Sequence, residues 1–272
     1  MEILKSPLNY TGSKQNLIDQ LNQYFPKDVD TFYDLFCGGL SVSMNTDYPK
    51  TIANDVVKPQ VQFYQLNKSA ESVDSEISTI LDIAIDKENQ EEYNRIRKVF
   101  NETQNPYLFF ALVCSCTNNM MRFNKKMEFN QSFGKRTINP STVEKLKKYI
   151  DRLSTKNIEF TNYSFTDVIK HIPPTNKDFV YLDPPYTNLL TEAGYNAYWT
   201  KAHEESLYGV LDDLDSRGVR FALSGVSVHK GIENPYLNRL KKYKIIELSH
   251  DYEKVARKKN LGDSQEILTI NY

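Results

Sequence analysis

The fold of this chain is decided by the stretch Thr31-Phe32-Tyr33-Asp34-Leu35-Phe36-Cys37-Gly38-Gly39. Its apolar beginning predicts a short buried strand. The paired glycines predict a turn at which the backbone approaches a ligand closely, because no Cβ intervenes. A helix is expected from Ser41, and a second strand, Thr51-Ile52-Ala53-Asn54-Asp55, ends in an acid. Strand, glycine turn, helix and acid-terminated strand make up the front half of a nucleotide-binding βαβ unit.

The glycine turn favours one class of ligand. It lacks the spacing of a dinucleotide-binding G-x-G-x-x-G motif and the lysine of a phosphate-binding loop. A cationic, nonphosphorylated nucleoside fits better, because Asp34 would pair with an ammonium group and Asp55 would accept hydrogen bonds from ribose hydroxyls. S-adenosylmethionine carries both groups, so the sequence predicts it as the cofactor.

The rest of the chain divides into a helical middle and a strand-rich end. Periodicity predicts helices at 17–25, 58–66, 73–84, 90–101, 106–114, 141–153 and 205–214, a long polar loop at 117–139, and strands at 158–161, 179–182, 220–224, 244–248 and 266–271. We therefore expect an α/β fold in which residues 1–66 and 154–272 form a catalytic domain and residues 67–153 a helical insertion. Because doubly wound sheets bind ligands at the carboxyl ends of their strands, the turns after Phe36, Asp55 and Leu182 are the expected site.

Composition narrows the class of protein. The 272 residues are 40% hydrophobic and 25% charged, as in soluble globular proteins. No apolar run approaches the length of a membrane span and the N-terminus lacks a signal-peptide pattern, so we expect a cytoplasmic protein without a membrane partner. A net charge of −1 argues against nonspecific coating of nucleic acid but leaves a DNA-binding face open. The histidines lack metal-ligand spacing and Cys114-x-Cys116 has no partner pair, so no metal is expected.

A second motif, Asp183-Pro184-Pro185-Tyr186, follows the apolar run at 179–182. The prolines fix φ and remove donors, so the carbonyls around them face outward as acceptors. Acceptors beside an aromatic ring suit a flat heterocycle with an exocyclic amino group, for which adenine and cytosine are candidates. Hydrogen bonds from that amino group to the Asp183 carboxylate and the Pro184 carbonyl would favour the pyramidal nitrogen that forms as a methyl group arrives. Tyr186 would stack on the base, which must be flipped out if it comes from a duplex.

Five motifs in order carry a resemblance to a known family. They are Asn-Tyr-Thr-Gly-Ser-Lys at 9–14, Asp-Leu-Phe-Cys-Gly-Gly-Leu-Ser at 34–41, Ala-Asn-Asp at 53–55, Asn-Met-Met-Arg-Phe-Asn at 119–124 with Phe-Gly-Lys-Arg-Thr-Ile-Asn at 133–139, and Asp-Pro-Pro-Tyr at 183–186. In this combination the chain resembles the Dam family of DNA adenine-N6 methyltransferases, in the order of its α group, and especially the bacteriophage Dam enzymes. The resemblance implies a Rossmann-like S-adenosylmethionine-dependent methyltransferase core with an inserted helical target-recognition domain. It also implies a monomer that methylates adenine in duplex GATC inside a bacterial or phage-infected bacterial cell.

The resemblance further implies roles for individual residues. The implied cofactor-binding residues are Tyr10, Lys14, Asp34, Phe36, Cys37, Gly38, Gly39, Asp55, Phe165, Asp167 and Asp183. The implied catalytic residues are Asp183, Pro184, Pro185 and Tyr186. The implied DNA-binding residues are Lys14, Asn119, Met120, Arg122, Asn124, Ser132, Arg136 and Asn196. Of these, Met120 would meet a thymine methyl, Arg122 would insert near the flipped nucleotide, and Arg136 suits bidentate readout of a guanine edge.

Some alternatives stay open. Residues 117–119 and Ser132 depart from the family pattern in the recognition loop, which leaves the recognised sequence uncertain. A cytosine-N4 or RNA adenine methyltransferase would use the same pocket chemistry, although the cytosine enzymes more often carry serine in place of Asp183. The chain has no Pro-Cys dipeptide, which argues against a cytosine-C5 enzyme with a thiolate nucleophile. A catalytically silent DNA-binding protein is the rival of another class, and the presence of Asp183, Pro184 and Tyr186 together opposes it.

Overall fold

The computed structural model describes residues 3–8, 12–124, 126–186, 199–229, 231–248 and 265–272. The α-helices in this part of the chain are α1 (Ile18–Tyr24), α2 (Lys58–Lys68), α3 (Val73–Asp82), α4 (Gln90–Thr103), α5 (Pro106–Ser115), α6 (Pro140–Thr155), α7 (Phe165–His171), α8 (Lys201–Ser216) and α9 (Leu237–Leu240). The strands are β1 (Thr31–Asp34), β2 (Lys50–Asn54), β3 (Ile158–Thr161), β4 (Phe179–Leu182), β5 (Arg220–His229), β6 (Ile232–Glu233), β7 (Lys244–Leu248) and β8 (Gln265–Ile270). Short 3₁₀ helices cover Lys14–Leu17, Ser43–Asn45 and Thr117–Asn119.

The strands form one sheet in the order β3-β2-β1-β4-β5-β8-β7, with β6 beside β5. Strand β4 runs parallel to both β1 and β5, whereas β8 is antiparallel to β5 and β7. The chain order of the strands reverses between β1 and β4, and this reversal is the switch point at which open α/β sheets bind ligands. The predicted α/β, Rossmann-like fold class is therefore confirmed.

Burial explains which segments became central strands. All four residues of β4 are buried, as are the residues at 221–224 of β5, and parallel strands covered on both faces are typically continuous apolar runs. In β7 exposed and buried residues are interspersed, with Lys244 and Glu247 exposed, as expected for a strand at the edge of a sheet. The strands predicted at 158–161, 179–182 and 244–248 have these bounds in the structure.

Side-chain caps determine where the helices of the middle region begin. The side-chain oxygens of Asn89, Asn105 and Asn139 accept hydrogen bonds from backbone N–H groups in the first turns of α4, α5 and α6. Helices α5 and α6 also begin with proline, whose missing N–H would have no partner in a first turn. The predicted starts at 90, 106 and 141 agree with the observed starts to within one residue.

The helix predicted from Ser41 is wrong. The segment contains only the 3₁₀ helix Ser43–Asn45, because Leu40 has a left-handed φ of 58° and the Asn45 side chain bonds the backbone of Leu4 at 2.7 and 3.0 Å. Helix α7, helix α9 and strand β6 were not predicted. They are short, and α7 is recognisable mainly by its cap, in which Ser164 accepts a hydrogen bond from the Asp167 N–H.

The chain forms two compact units. The first unit comprises Met1–Gln15, Cys37–Asp47 and Ala53–Asn162, and the second comprises Asn16–Phe36, Tyr48–Ile52 and Tyr163–Tyr272. The core of the first unit is rich in aromatic rings, among which Phe63 and Phe110 stack with centroids 4.7 Å apart. The core of the second unit joins apolar residues of β1, β4 and β5 to those of α7 and α8. These units follow spatial packing, and the functional division at residues 66 and 154 stays a prediction.

None of the described helices combines the length and apolar character needed to cross a membrane.

Candidate active site and recognition loop

The switch point lies in the second unit, at the carboxyl ends of β1 and β4. Asp34 is opposite Tyr181 in the parallel register, and the Leu35 N–H donates to the Tyr181 carbonyl at 3.0 Å. Asp34 is buried, and Asp183, which directly follows β4, is partly exposed. The strand register therefore delivers two carboxylates to the same edge of the sheet, as the sequence predicted from the chain positions alone.

Tyr186 is held by a residue that the sequence analysis missed. Its hydroxyl donates to Glu266 Oε2 on β8 at 2.7 Å. Burial raises the pKa of Tyr186 well above its usual value, and the neighbouring carboxylates of Glu266 and Asp183 raise it further. The phenol is thus neutral and serves as a donor, which fixes the position of its ring beside Pro184 and Pro185. Nothing in the local pattern of the last strand marks Glu266, because the two residues are eighty positions apart.

Three aromatic rings of the second unit meet beside β1. The Phe36 ring lies 5.3 Å from that of Phe165 and 5.8 Å from that of Trp199, and the Phe165 and Trp199 centroids are 5.6 Å apart. The Trp199 indole N–H donates to Glu204 at 2.8 Å, so this ring is part of the core. The structure brings the predicted cofactor residues Phe36 and Phe165 together and adds Trp199 to them.

Asp167 lies in the first turn of α7 next to Phe165. Its carboxylate accepts hydrogen bonds from the Ser164 hydroxyl at 2.8 Å and from Lys170 at 3.3 Å, and these two donors lower the pKa of Asp167. The charged carboxylate at a helix N-terminus is a favourable arrangement for the helix itself. The contacts of Asp167 in the described structure are therefore those of a helix cap.

The glycine turn belongs to the first unit and is held from several sides. Gly38 has a φ of +45°, a conformation that favours glycine. Its N–H donates to Asp55 Oδ2 at 2.9 Å, and its carbonyl accepts hydrogen bonds from Gln60 and, at 2.7 Å, from the Tyr64 hydroxyl. Burial raises the pKa of Asp55, and hydrogen bonds from the Val57 and Gly38 N–H groups oppose that rise. The sequence analysis missed Gln60 and Tyr64, whose spacing of four residues on α2 is the available signal.

The remaining cofactor predictions vary in their outcome. Cys37 is buried and its N–H donates to the Asn54 carbonyl at 2.8 Å, and Gly39 is buried after it. Lys14 is only 4% exposed, and its ammonium donates to the Gly12 carbonyl at 3.1 Å. The predictions for Tyr10 and Asn196 fall outside the described residues.

The residues present fit the predicted cofactor in their chemistry. The second unit offers a buried carboxylate, Asp34, together with the aromatic faces of Phe36 and Phe165. In the first unit the Asp55 carboxylate accepts hydrogen bonds from the Gly38 and Val57 N–H groups, and a carboxylate has about four lone-pair sites. Carboxylates and aromatic faces are the groups that a cationic nucleoside requires. Among the described residues, no cluster of three or more potential metal ligands occurs.

The long loop at 117–139 is fastened to α4. Tyr93 and Arg97 donate to the Gln131 carbonyl at 2.9 and 3.1 Å, and the Asn101 side chain bonds both the N–H and the carbonyl of Phe129. Isolated antiparallel bridges join Cys116 to Phe133 and Phe123 to Phe129. The loop therefore folds back on itself as an irregular hairpin whose shape depends on side chains of a separate helix.

Gly134 makes the closest backbone approach in this hairpin. Its N–H donates to the Ser115 carbonyl at 2.9 Å, and a Cβ at this position would lie 2.3 Å from the Cys116 carbonyl oxygen. No real Cβ approaches a backbone atom so closely, so the hairpin requires glycine here.

Two predicted DNA-binding residues of the loop bond each other. Arg136 donates to Asn119 Oδ1 at 2.7 Å, and the Asn119 amide donates to the Cys114 carbonyl at 2.6 Å. Arg136 is exposed, so its guanidinium can exchange this partner for a base edge without leaving a buried polar group unpaired. The structure thus brings these two residues together on the surface of the first unit.

The other loop residues are partnered within the hairpin. Arg122 donates to the side chain and carbonyl of Asn130 at 2.9 and 2.8 Å, and the Asn124 amide donates to Glu128 at 2.7 Å. The Ser132 hydroxyl bonds Thr117 at 2.9 Å, and Met120 is partly exposed. These contacts order the loop.

Comparison with known proteins supports the chemistry that these motifs imply. The family model described as D12 class N6 adenine-specific DNA methyltransferase matches residues 10–257. The chain is 37% identical to the type II methyltransferase M.FokI of Planomicrobium okeanokoites and 32% identical to the modification methylase StsI of Streptococcus sanguinis. Each alignment covers 99% of this chain and 43% of the relative, so the chain spans less than half of their length.

The similarity to Dam enzymes is more distant than the sequence analysis expected. The chain is 28% identical to the DNA adenine methylase of Serratia marcescens over 72% of each protein, compared with 37% for M.FokI. The comparisons therefore support membership of a broader family and do not support the predicted special similarity to bacteriophage Dam enzymes. The matched family is of the S-adenosylmethionine-dependent type, which confirms the predicted cofactor. With a family model matched over most of its length, this chain belongs to the D12 class N6 adenine-specific DNA methyltransferase family.

Proposed function

We propose that this chain transfers a methyl group from S-adenosylmethionine to the N6 nitrogen of an adenine in a short duplex DNA site. One observation carries the proposal, namely the position of Asp183-Pro184-Pro185-Tyr186 directly after β4, beside the end of β1 that carries Asp34. Acceptors and an aromatic ring at a switch point are what an extrahelical adenine needs. The proposed cofactor residues remain those named from the sequence.

The chain's own groups would act on the amino nitrogen. S-adenosylmethionine supplies a methyl group on a positively charged sulfur. The exocyclic amine is a poor nucleophile because its lone pair is delocalised into the ring. The Asp183 carboxylate and the Pro184 carbonyl would accept its two hydrogens, which favours the pyramidal nitrogen of the transition state. Tyr186, held by Glu266, would lie against the base face and help offset the cost of unstacking.

The recognised DNA sequence, the oligomeric state and the cellular location are part of the same proposal. We propose GATC as the first site to test, with base flipping, because the loop at 119–139 is similar to the recognition loops of Dam enzymes. The similarity to a type II methyltransferase and to a modification methylase supports a role in DNA modification. We propose further that the protein acts as a monomer in the bacterial cytoplasm.

Transfer of a tritiated methyl group tests the proposal. Duplexes with and without GATC are incubated with the protein and labelled cofactor, and the digested nucleosides are separated. Labelled N6-methyladenine in the GATC duplex alone supports the whole assignment. Labelled N6-methyladenine in both duplexes overturns only GATC, and sequencing of a methylated random library then identifies the site.

Two other results would overturn the chemistry. Label in N4-methylcytosine would show that the pocket accepts another amino-bearing base, and transfer to RNA alone would show that the substrate is not DNA. Cofactor binding without transfer to any nucleic acid would support the catalytically silent DNA-binding protein.

A further inference from the structure

The first unit contains a polar cavity of about 560 Å³ that the sequence analysis did not anticipate. Its wall comes from the segment at 5–8, the end of α5, the loop after Arg136 and the first turn of α6. Its charged lining residues in the described part of the chain are Lys5, Arg136 and Lys145, all cationic. Hydroxyl and amide side chains make up most of the remainder.

The two lysines of this cavity are not neutralised by any residue that the structure describes. Among the described residues, neither Lys5 nor Lys145 forms an ion pair or a side-chain hydrogen bond. On the same helix, Lys147 pairs with Asp74 at 3.1 Å and Lys148 pairs with Glu144 at 3.2 Å. Within the described residues, Lys147 and Lys148 of α6 are therefore paired with carboxylates, whereas Lys145, which lines the cavity, is not.

The start of α6 adds positive potential to the same cavity. Asn139 Oδ1 accepts the Thr142 N–H at 3.0 Å, and Pro140 contributes no N–H, so Ser141 is left with a donor that has no intrahelical partner. Ser141 and Thr142 both line the cavity. The sixteen-residue helix directs the positive end of its dipole toward any anion held there.

We propose that this cavity binds a phosphodiester group of the DNA backbone, with Lys5 and Lys145 as its cationic ligands. The inference rests on the proposed function for the identity of the polymer. Three cations without a carboxylate among the described lining residues select an anion, and no aromatic side chain among them offers a stacking face for a base. Arg136, which lies on the same wall, was assigned to base readout, so the lysines would hold the strand while Arg136 contacts a base edge.

Lysine substitutions combined with a salt titration test the site. Binding of a fluorescent target duplex by Lys5→Gln, Lys145→Gln and the double variant is measured across salt concentrations. Each lost phosphate contact should lower the slope of log Kd against log salt by about one and leave the sequence preference unchanged. Lys148→Gln removes the same charge from the same helix outside the cavity and should keep the wild-type slope.

A duplex with single methylphosphonates locates the contact. The wild type should lose about three- to tenfold in affinity at one backbone position, and Lys145→Gln should be insensitive to that position alone. Slopes unchanged in all cavity variants, while the wild type methylates DNA, would overturn the phosphate site and leave the proposed function intact. Binding of inorganic phosphate with unchanged slopes for DNA would show a small-anion site and would likewise overturn it. A wild type that neither binds nor methylates DNA would overturn both proposals.

Discussion

The switch point and the recognition loop obtain their geometry in different ways. At the switch point, Asp34 is the last residue of β1 and Asp183 directly follows β4. The main-chain register of these two adjacent parallel strands fixes the positions of both residues. In the described part of the loop at 117–139, two isolated bridges take the place of a strand ladder, and side chains of α4 supply hydrogen bonds that help to shape it. The proposed chemistry therefore rests on a sheet that needs few specific side chains, whereas the proposed target recognition rests on individual contacts that substitution can alter one at a time.

This difference explains how the two regions tolerate change. A strand end keeps its position as long as the buried run before it is apolar, as at 179–182. The loop depends on contacts such as those of Tyr93 and Asn101, which lie more than twenty residues away in sequence. We expect substitutions in the loop to change affinity and sequence preference, and substitutions at the switch point to change the rate of transfer.

The largest effect is expected for Asp183→Asn. The amide keeps the size of the side chain but loses the charge that accepts the amino hydrogens, so transfer should fall by about 100-fold or more while cofactor and DNA binding persist. Single-turnover transfer and calorimetry with S-adenosylmethionine measure the two properties. Asp213→Asn, which removes an exposed carboxylate paired with Arg217, is the matched control. Wild-type rates in Asp183→Asn would place the chemistry elsewhere.

The second-largest effect is expected for Gly134→Ala. The added Cβ would collide with the Cys116 carbonyl, so the hairpin must shift, at a cost of about 1–3 kcal/mol in the free energy of unfolding. Specific DNA binding should weaken, and cofactor binding should not. Gly209→Ala on α8 has open space around the new Cβ and should stabilise by about 0.5–1 kcal/mol. Unaltered DNA binding by Gly134→Ala would mean that the loop shape does not govern recognition.

Arg136→Ala should mainly change sequence preference. Loss of a bidentate base contact should reduce discrimination against a substituted base pair by about 1–3 kcal/mol. Competition binding with duplexes altered at each position measures the loss. Lys126→Ala, which removes another exposed cation of the loop, should lower affinity for all duplexes equally. The same profile in both variants would assign Arg136 to the phosphate backbone.

The smallest effects are expected for a matched pair of tyrosine substitutions. Tyr93→Phe removes the hydrogen bond to Gln131 in the loop, and Tyr186→Phe removes the one to Glu266 at the switch point. Loss of either hydrogen bond should lower the free energy of unfolding by about 0.5–1.5 kcal/mol. If the two regions differ as described, Tyr93→Phe raises the Kd for DNA, and Tyr186→Phe lowers kcat. Identical kinetic changes in both variants would contradict the distinction.

Local patterns were sufficient to predict most elements and the motifs that follow them. Strand periodicity predicted β3, β4 and β7, and helical periodicity predicted α4, α5 and α6, because the alternation of buried and exposed side chains is readable over a few residues. The helix expected after Gly39 failed for the opposite reason. There the Asn45 side chain forms a hydrogen bond with the backbone of Leu4, which is far away in sequence. The left-handed φ of Leu40 also interrupts the helical backbone.

Partners distant in sequence could not be predicted. Glu266 bonds Tyr186 and Arg136 bonds Asn119, and no local pattern pairs these residues. Tyr64 bonds Gly38, and its only local signal is the four-residue spacing from Gln60.

The sequence by itself determined the α/β fold class, the order of the motifs and the strand ends that carry Asp34 and Asp183. These features depend on hydrophobic periodicity and burial, which are properties of short runs of residues. Only the tertiary structure decided how the recognition loop is shaped, what holds Tyr186 and Gly38, and where Lys5 and Lys145 line one cavity with Arg136. Those arrangements depend on hydrogen bonds, close approaches and charges between residues that folding alone brings together.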